Sequence, residues 1–228
     1  MRNAIEIGND FIVTTDNSGG IGEKQGDIVS VPDRVTAYFA ARVALLEQWS
    51  ANAEPVSVLI HNFSGSFSWE NYVQGVKDLF LEAGLGVPTI SGSTETNIEL
   101  VQSAVAVTMI GKKKEVSLVD DLTWFTYGVP LVGDEVMAHA DEVASLCKIY
   151  EAIKGEIVYQ IWPVGSRGIA KEVRAMSKNS EALVESALDT AKSAGPSTVV
   201  FLAIPVAKIA AAKNLFGEHL KELHIKGL

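Results

Sequence analysis

The sequence predicts an α/β protein of two domains. Three observations carry this. Strand-like and helix-like periodicities alternate through both halves of the chain. Apolar residues make up 47% of the 228 positions, enough to bury a sizeable core, and a charged fraction of 21% is ordinary for a folded protein. The composition shifts between Lys112 and Tyr127, which places a junction near residues 115–130.

Taken in order, Ile5, Ile7, Phe11 and Val13 are spaced as in an extended strand with a break at Gly8-Asn9. The stretch NSGGIGEKQGD holds four glycines in eleven residues and reads as a loop. Asp33, after Pro32, is placed to cap a helix running to about Ser50. A second strand follows Pro55, and Ser68 caps a helix that stops near Gly84. VPTIS is a short strand leading into the polar turn SGSTETN, and VQSAVAVTMIG is a further strand. Beyond the junction, residues 134–154 read as one long helix and EIVYQIW as a strand. The loop PVGSRG leads into helical segments through Ala194, STVVFLAI is a late strand, and Pro205 opens a last helix.

Several function classes are excluded. With 28 acidic and 19 basic residues the formal charge is −9, a field that repels nucleic acid. Cys147 is the single cysteine, so no intramolecular disulfide or cysteine cage forms, and its helical setting predicts a buried thiol. The amino terminus carries charges at once, and the most apolar stretch is interrupted by Pro205 and Lys208, short of the roughly 20 residues of a membrane span. The expectation is a soluble, cytoplasmic protein without a membrane partner. GxxxxGK[ST] is absent, and GGIGEKQG has Gln25 where a dinucleotide fingerprint needs its last glycine.

The residues that remain point to phosphate chemistry. Asp16 closes TTD before the glycine-rich stretch, where a carboxylate suits a divalent cation and Gly19, Gly20 and Gly22 let backbone approach phosphates. Asp10 lies six residues before it and Asp27 eleven after. The same residues also fit an acidic turn without a ligand, and spacing alone leaves both open. On the following helix Asp33, Ala37, Ala40, Ala44 and Glu47 share one face, with the two acids roughly 21 Å apart at the helical rise. SGSTETN adds Thr94 and Glu95, and GSRG adds Arg167 before a helix; both also fit ordinary turns and caps. His61 ends a strand, and no histidine pair has ligand spacing.

Placed in order, these pieces resemble the AIR-synthase superfamily, which includes AIR synthase, thiamine-monophosphate kinase, selenophosphate synthetase and a hydrogenase-maturation ATPase. IGND with TTD is similar to the family's metal and nucleotide motifs at Asp10 and Asp16. GGIGEK resembles its glycine and lysine stretch, placing Lys24 near phosphate. DRVTAYFAARVALLEQWSANAEP resembles the family helix, with Glu47 at the position of its aspartate. SGSTETN matches a further motif in position but carries Ser93 where the family has an acid, which leaves open whether Glu95 or Glu99 takes over or a metal is missing. Within the superfamily the chain most resembles the compact α-ribazole kinases of cobamide lower-ligand salvage, through YGVPLVGDEV and the abbreviated second domain.

The resemblance implies an AIR-synthase-like fold, with a nucleotide-binding and dimerising domain over residues 1–118, built on a mixed sheet, and a shortened α/β domain over 119–228. It implies ATP and Mg²⁺ as cofactors, a nucleoside-like substrate and a homodimer. Asp16 and Glu47 would hold the metal, with Asp10, Gly19, Gly20, Gly22, Thr94 and Glu95 around the nucleotide. Lys24 would stabilise transferred charge and Asp33 would orient the acceptor hydroxyl. Two other activities remain open: an ATP-dependent cyclo-ligase, and an ATP-binding module without catalysis.

Overall fold

In the computed structural model, which describes residues 3–8 and 10–226, the chain divides into two compact units, Asn3–Lys114 and one that begins at Glu115. The first contains β1 (Ile5–Ile7), β2 (Phe11–Gly19), β3 (Ile21–Gly22), β4 (Val29–Ser30), α1 (Asp33–Ser50), β5 (Ala53–Asn62), α2 (Trp69–Glu82), β6 (Thr89–Thr94) and β7 (Ala104–Lys113). Five strands form one mixed sheet in the order β1-β2-β7-β5-β6, in which only β5 and β6 run parallel. The first expected strand is a hairpin: β1 pairs antiparallel with β2, and Asp10 turns the chain with φ +64. Asn9 lies outside the described residues.

Alternation sets the layers. On β7, Val105, Val107 and Met109 are buried, while Ala104, Ala106, Thr108 and Ile110 between them are half-exposed. Helix α1 packs on β2 and β7 over the buried face, and α2 packs on α1. The crossing of α1 and α2 is close because residue 75 is glycine; a Cβ there would overlap the Arg34 carbonyl oxygen. Inside the α1–sheet layer the Thr14 hydroxyl donates to the Ala44 carbonyl (2.8 Å), and the Gln48 amide donates to the Ile12 and Met109 carbonyls (3.1 and 3.0 Å). These bonds answer polar groups that burial would otherwise leave unpaired.

Two helix starts differ from expectation. Helix α1 begins after Pro32, so Asp33 is its first residue and makes no cap; its side chain turns back toward Glu23 instead. Ser68 makes no cap bond either, and a 3₁₀ turn over Ser66–Ser68 leads into α2.

The second unit contains β8 (Leu122–Tyr127), α3 (Asp134–Ala138), α4 (Leu146–Lys154), β9 (Gln160–Pro163), α5 (Gly168–Ser177), β10 (Leu183–Glu185), β11 (Val200–Pro205), α6 (Ile209–Phe216), β12 (Leu220–Glu222) and β13 (His224–Lys226). Its main sheet is antiparallel, β12-β8-β11-β9, and β10 pairs with β13 in a ribbon. Trp162, Ile169, Val173, Val199 and Phe201 anchor its core.

The long helix expected over 134–154 is broken. Helix α3 stops at Ala138, and α4 starts afresh behind Ser145, whose hydroxyl accepts from the Lys148 N–H (3.4 Å). Residues 178–194 are not helical and include β10. Pro205 ends β11, and a 3₁₀ turn separates it from α6. Cys147 is exposed, because α4 turns Leu146 and Ile149 into the core and residue 147 away from it.

Candidate functional site

Register places the candidate residues. Gly19 pairs with Ala104, Val105 with Asn62, and Asn62 with Thr94, so the ends of β2, β5 and β6 and the start of β7 share one end of the sheet. The glycine-rich segment, the start of α1 and the Thr94–Asn97 turn therefore meet there. Helix α1 runs back antiparallel to β2, with Ala44 over Thr14 and Gln48 over Ile12, so its start faces the end of β2.

The glycine segment is a closed loop. The Gly20 N–H donates to the Ser103 carbonyl (2.8 Å), the Ile28 N–H to the Gly20 carbonyl (2.8 Å), and the Val31 N–H to the Gly22 carbonyl (3.1 Å). The Gly20 amide is thus spent on the protein rather than offered to a phosphate. At Gly22 a Cβ would come within 2.5 Å of the Ser103 hydroxyl and 2.7 Å of Asp33 Oδ1, so this position needs glycine; at Gly19 a Cβ would meet nothing within 4 Å. The Lys24 ammonium, half-buried, donates to the Leu100 carbonyl (2.6 Å).

Asp33 and Glu23 latch the loop to α1. The Glu23 N–H donates to Asp33 Oδ1 and the Asp33 N–H to Glu23 Oε1, both at 3.3 Å. Asp33 is fully enclosed. Its Oδ2 and the buried Ser68 hydroxyl each lack a bond of good geometry. Burial raises the Asp33 carboxyl above its ordinary value, the charges of Glu23 and Asp27 add to this, and the nearby Ser68 hydroxyl and the Glu23 N–H offset only part of it. The expectation that Asp33 orients an acceptor hydroxyl conflicts with this enclosure, since a solvent-borne hydroxyl does not reach it.

Next to this latch, the Tyr72 hydroxyl and Ser64 hydroxyl lie 2.6 Å apart, and burial first of all pushes the Tyr72 phenol up to about 12. The Asn62 amide donates to the Gly65 carbonyl (2.8 Å) and the Thr94 hydroxyl (3.2 Å), holding Thr94 in place. The Glu95 carboxylate accepts from the Asn97 and Ile98 N–H groups (2.6 and 3.2 Å), and these bonds hold its pKa low. It closes its own turn.

The remaining acids are spread out. Asp16 is half-buried inside β2, three residues before the strand ends at Gly19, rather than at the strand end. Glu47 is fully buried near the far end of α1, where its Oε2 accepts from the Asn3 N–H (3.3 Å). Asp10 sits at the opposite end of β2 from the glycines, roughly 20 Å from Asp16 at the rise of a strand. Asp10 is therefore far along β2 from the glycine loop and from Asp16, with which it was expected to group. Among the described residues no group of three metal-ligating side chains converges. In the second unit the Arg167 guanidinium pairs with buried Glu172 (3.5 Å), which also accepts from the Trp162 indole N–H (3.2 Å).

Asp27, Ser103, Asn62 and the Ser64–Tyr72 pair are structural partners of the site that sequence reasoning left without a role. Of these only Asp27 carried a signal, its place at the end of the glycine stretch.

No protein-family model matches the chain, and no curated protein is similar to it in sequence. Solved structures are similar in fold. A chain of the HypE–HypF complex aligns over 100% of this chain and 88% of its own at 14% identity and a TM-score of 0.68. Thiamine monophosphate kinase from Aquifex aeolicus aligns over 98% of this chain and 87% of its own at 10% identity, TM-score 0.65. T. maritima PurL complexed with AMPPCP aligns over 98% of this chain at 11% identity, TM-score 0.61, and this chain spans 42% of that one. No helix among the described residues is long and apolar enough to cross a membrane. The chain has the AIR-synthase-like α/β fold that these structures share.

Proposed function

We propose that this chain is an ATP-dependent kinase that phosphorylates a hydroxyl of a nucleoside-like small molecule, with α-ribazole the first acceptor to test and α-ribazole 5′-phosphate its product, in cobamide lower-ligand salvage. The observation that carries it is the glycine-rich segment: a hydrogen-bonded loop at the end of β2, open over Gly19, with the Lys24 ammonium on the Leu100 carbonyl and within the field of the Asp27 carboxylate. Proteins of the same fold support it, since they include a thiamine monophosphate kinase, HypE in complex with ATP and PurL complexed with AMPPCP.

In this reading Lys24 exchanges the Leu100 carbonyl for a phosphate oxygen and stabilises the transferred charge. Gly19 lets the backbone come close to the phosphates, Gly22 lets the loop close against Ser103 and Asp33, and Thr94 and Glu95 border the site from the end of β6. Mg²⁺ fits a site of this kind because it keeps waters and phosphate oxygens and needs only one or two carboxylates. Asp16 and Glu47 are the carboxylates proposed to hold it, Glu47 being enclosed as the structure stands. When bound, the ion would neutralise charge on the phosphates. Asp33 acts on the loop rather than on the acceptor. The reading includes a cytoplasmic location, where ATP is at hand, and a homodimer paired through the outer face of the five-stranded sheet.

The test is an ATP-consumption assay over nucleosides, α-ribazole and vitamin precursors, with the product identified. A phosphomonoester is expected; free phosphate with a cyclised product would favour a cyclo-ligase instead. Asp16→Asn should abolish turnover with the fold intact by circular dichroism. Unchanged activity would remove Asp16 from the metal site.

A further inference from the structure

We propose that Asp27 is a positioning residue: its carboxylate clamps the glycine-rich loop to Ser103 and so fixes the loop curvature that receives the nucleotide phosphates. This rests on the ATP reading above.

Asp27 uses both oxygens. Oδ1 accepts from the Ser103 N–H (2.7 Å), and Oδ2 accepts from the Ser103 hydroxyl (2.7 Å) and the Lys24 N–H (2.9 Å). A further bond from the Asp27 N–H to the Lys24 carbonyl (3.0 Å) closes the turn that carries Lys24. The clamp therefore sets where the Lys24 side chain begins. The rest of the loop follows the same seam: Gly20 bonds the Ser103 carbonyl (2.8 Å), and the Gln102 amide bonds the Gly26 carbonyl (2.8 Å). At Gly26 a Cβ would come within 2.5 Å of the Val101 carbonyl, and at Gly22 within 2.5 Å of the Ser103 hydroxyl. The loop and residues 101–103 thus touch backbone to backbone, and Asp27 is the charged group that joins them.

With three donors already on it, Asp27 is a brace rather than an open ligand. All three bonds require an acceptor at both oxygens, which only the ionised carboxylate supplies. An asparagine would turn a donor toward either the Ser103 or the Lys24 N–H, so Asp27→Asn opens the clamp at nearly constant volume. Ser103→Ala removes one bond from the other side.

The experiment measures Mg-ATP affinity by calorimetry for the wild type, Asp27→Asn, Ser103→Ala and the double variant, at a temperature where each is folded by circular dichroism. Each single variant should weaken binding roughly tenfold, as loss of hydrogen bonds to a charged group implies. The double variant should be little weaker than the worse single, because the two residues act as one unit. A role confined to stability would lower the melting temperature and leave affinity unchanged. Wild-type binding with both variants within twofold of it would overturn the inference and leave the kinase reading standing; no wild-type binding would overturn both. Should Asp27→Asn fail to fold, Ser103→Ala decides by the same criterion. Amide exchange in Ser103→Ala should also accelerate over residues 20–31, and unchanged exchange there would equally overturn the clamp.

Discussion

Asp33 carries a cost that the rest of the site explains. Its carboxyl has no exposed surface, one oxygen has no bond of good geometry, and Glu23 and Asp27 lie close by. All of these disfavour the charged form, so the folded-state pKa stands above the ordinary 3.8. The sign follows from linkage. The folded chain holds this proton more tightly than the unfolded chain does, so the stabilisation is full below the unfolded value and is lost as pH rises through the folded one. Asp33→Asn keeps the acceptor for the Glu23 N–H, removes the charge and lets the new amide donate toward Ser68. It should therefore be more stable than the wild type at pH 8, by on the order of 1 kcal/mol, with the gap closing as the pH falls toward 4. Calorimetric melting at several pH values checks this. An equal loss of stability at every pH would show that burial is not what governs this carboxyl.

At the scale of elements, Gly75 sets the spacing of α1 and α2. Helix propensity alone predicts that Gly75→Ala stabilises α2 by about 1 kcal/mol. Packing opposes it, because the added methyl would overlap the Arg34 carbonyl oxygen and press on Tyr38 N, at 3.0 Å. Backbone gives way less readily than a side chain, so the net effect should be a destabilisation of about 1–3 kcal/mol, read from urea denaturation. A stabilised variant would mean that the two helices part easily. The same contrast between local and tertiary causes explains what the sequence made legible. The alternation in VQSAVAVTMIG and the mostly apolar VVFLAI predicted β7 and β11, since a strand's burial pattern is written in its own residues. The break after Ala138 was not legible, because the periodicity of 134–154 does not register Ser145 accepting a hydrogen bond and restarting the helix. The glycine-rich loop was legible in its composition. Its bracing was not: Asp27 meets Ser103 across 76 residues, and Asn62 meets Thr94 across 32.

At the scale of the whole molecule, the unanswered feature is the outer face of the five-stranded sheet. Register brings Ile5, Ile7, Phe11 and Val13 from β1 and β2 together with Ile110 of β7 and Leu59 of β5. Ile5 and Ile7 are 63% and 47% exposed. Thr15, Thr108 and His61 run across the middle of the face, joined at 3.3 Å from side chain to side chain. Strands of 3, 9, 10, 10 and 6 residues, at about 3.3 Å rise and 4.8 Å spacing, make roughly 600 Å² of flat area, and corrugation by side chains adds to it. That approaches the ~800 Å² per partner of a stable interface. The face is strand-built and apolar where β1 and β2 meet Ile110 and Leu59, with polar side chains across its middle, so a second copy can stack the same residues against it about a two-fold axis. Light scattering should give twice the chain mass for the wild type. Ile110→Lys places a charge near the centre of the face, where pairing would strip its water, and should give the monomer mass while the fold remains intact. A wild-type monomer, or a dimer that survives this substitution, would move the interface elsewhere. Because residue 110 lies on the face away from α1 and is remote from the glycine loop, Mg-ATP binding measured on the same variant shows whether the candidate site is complete within one copy or needs the second.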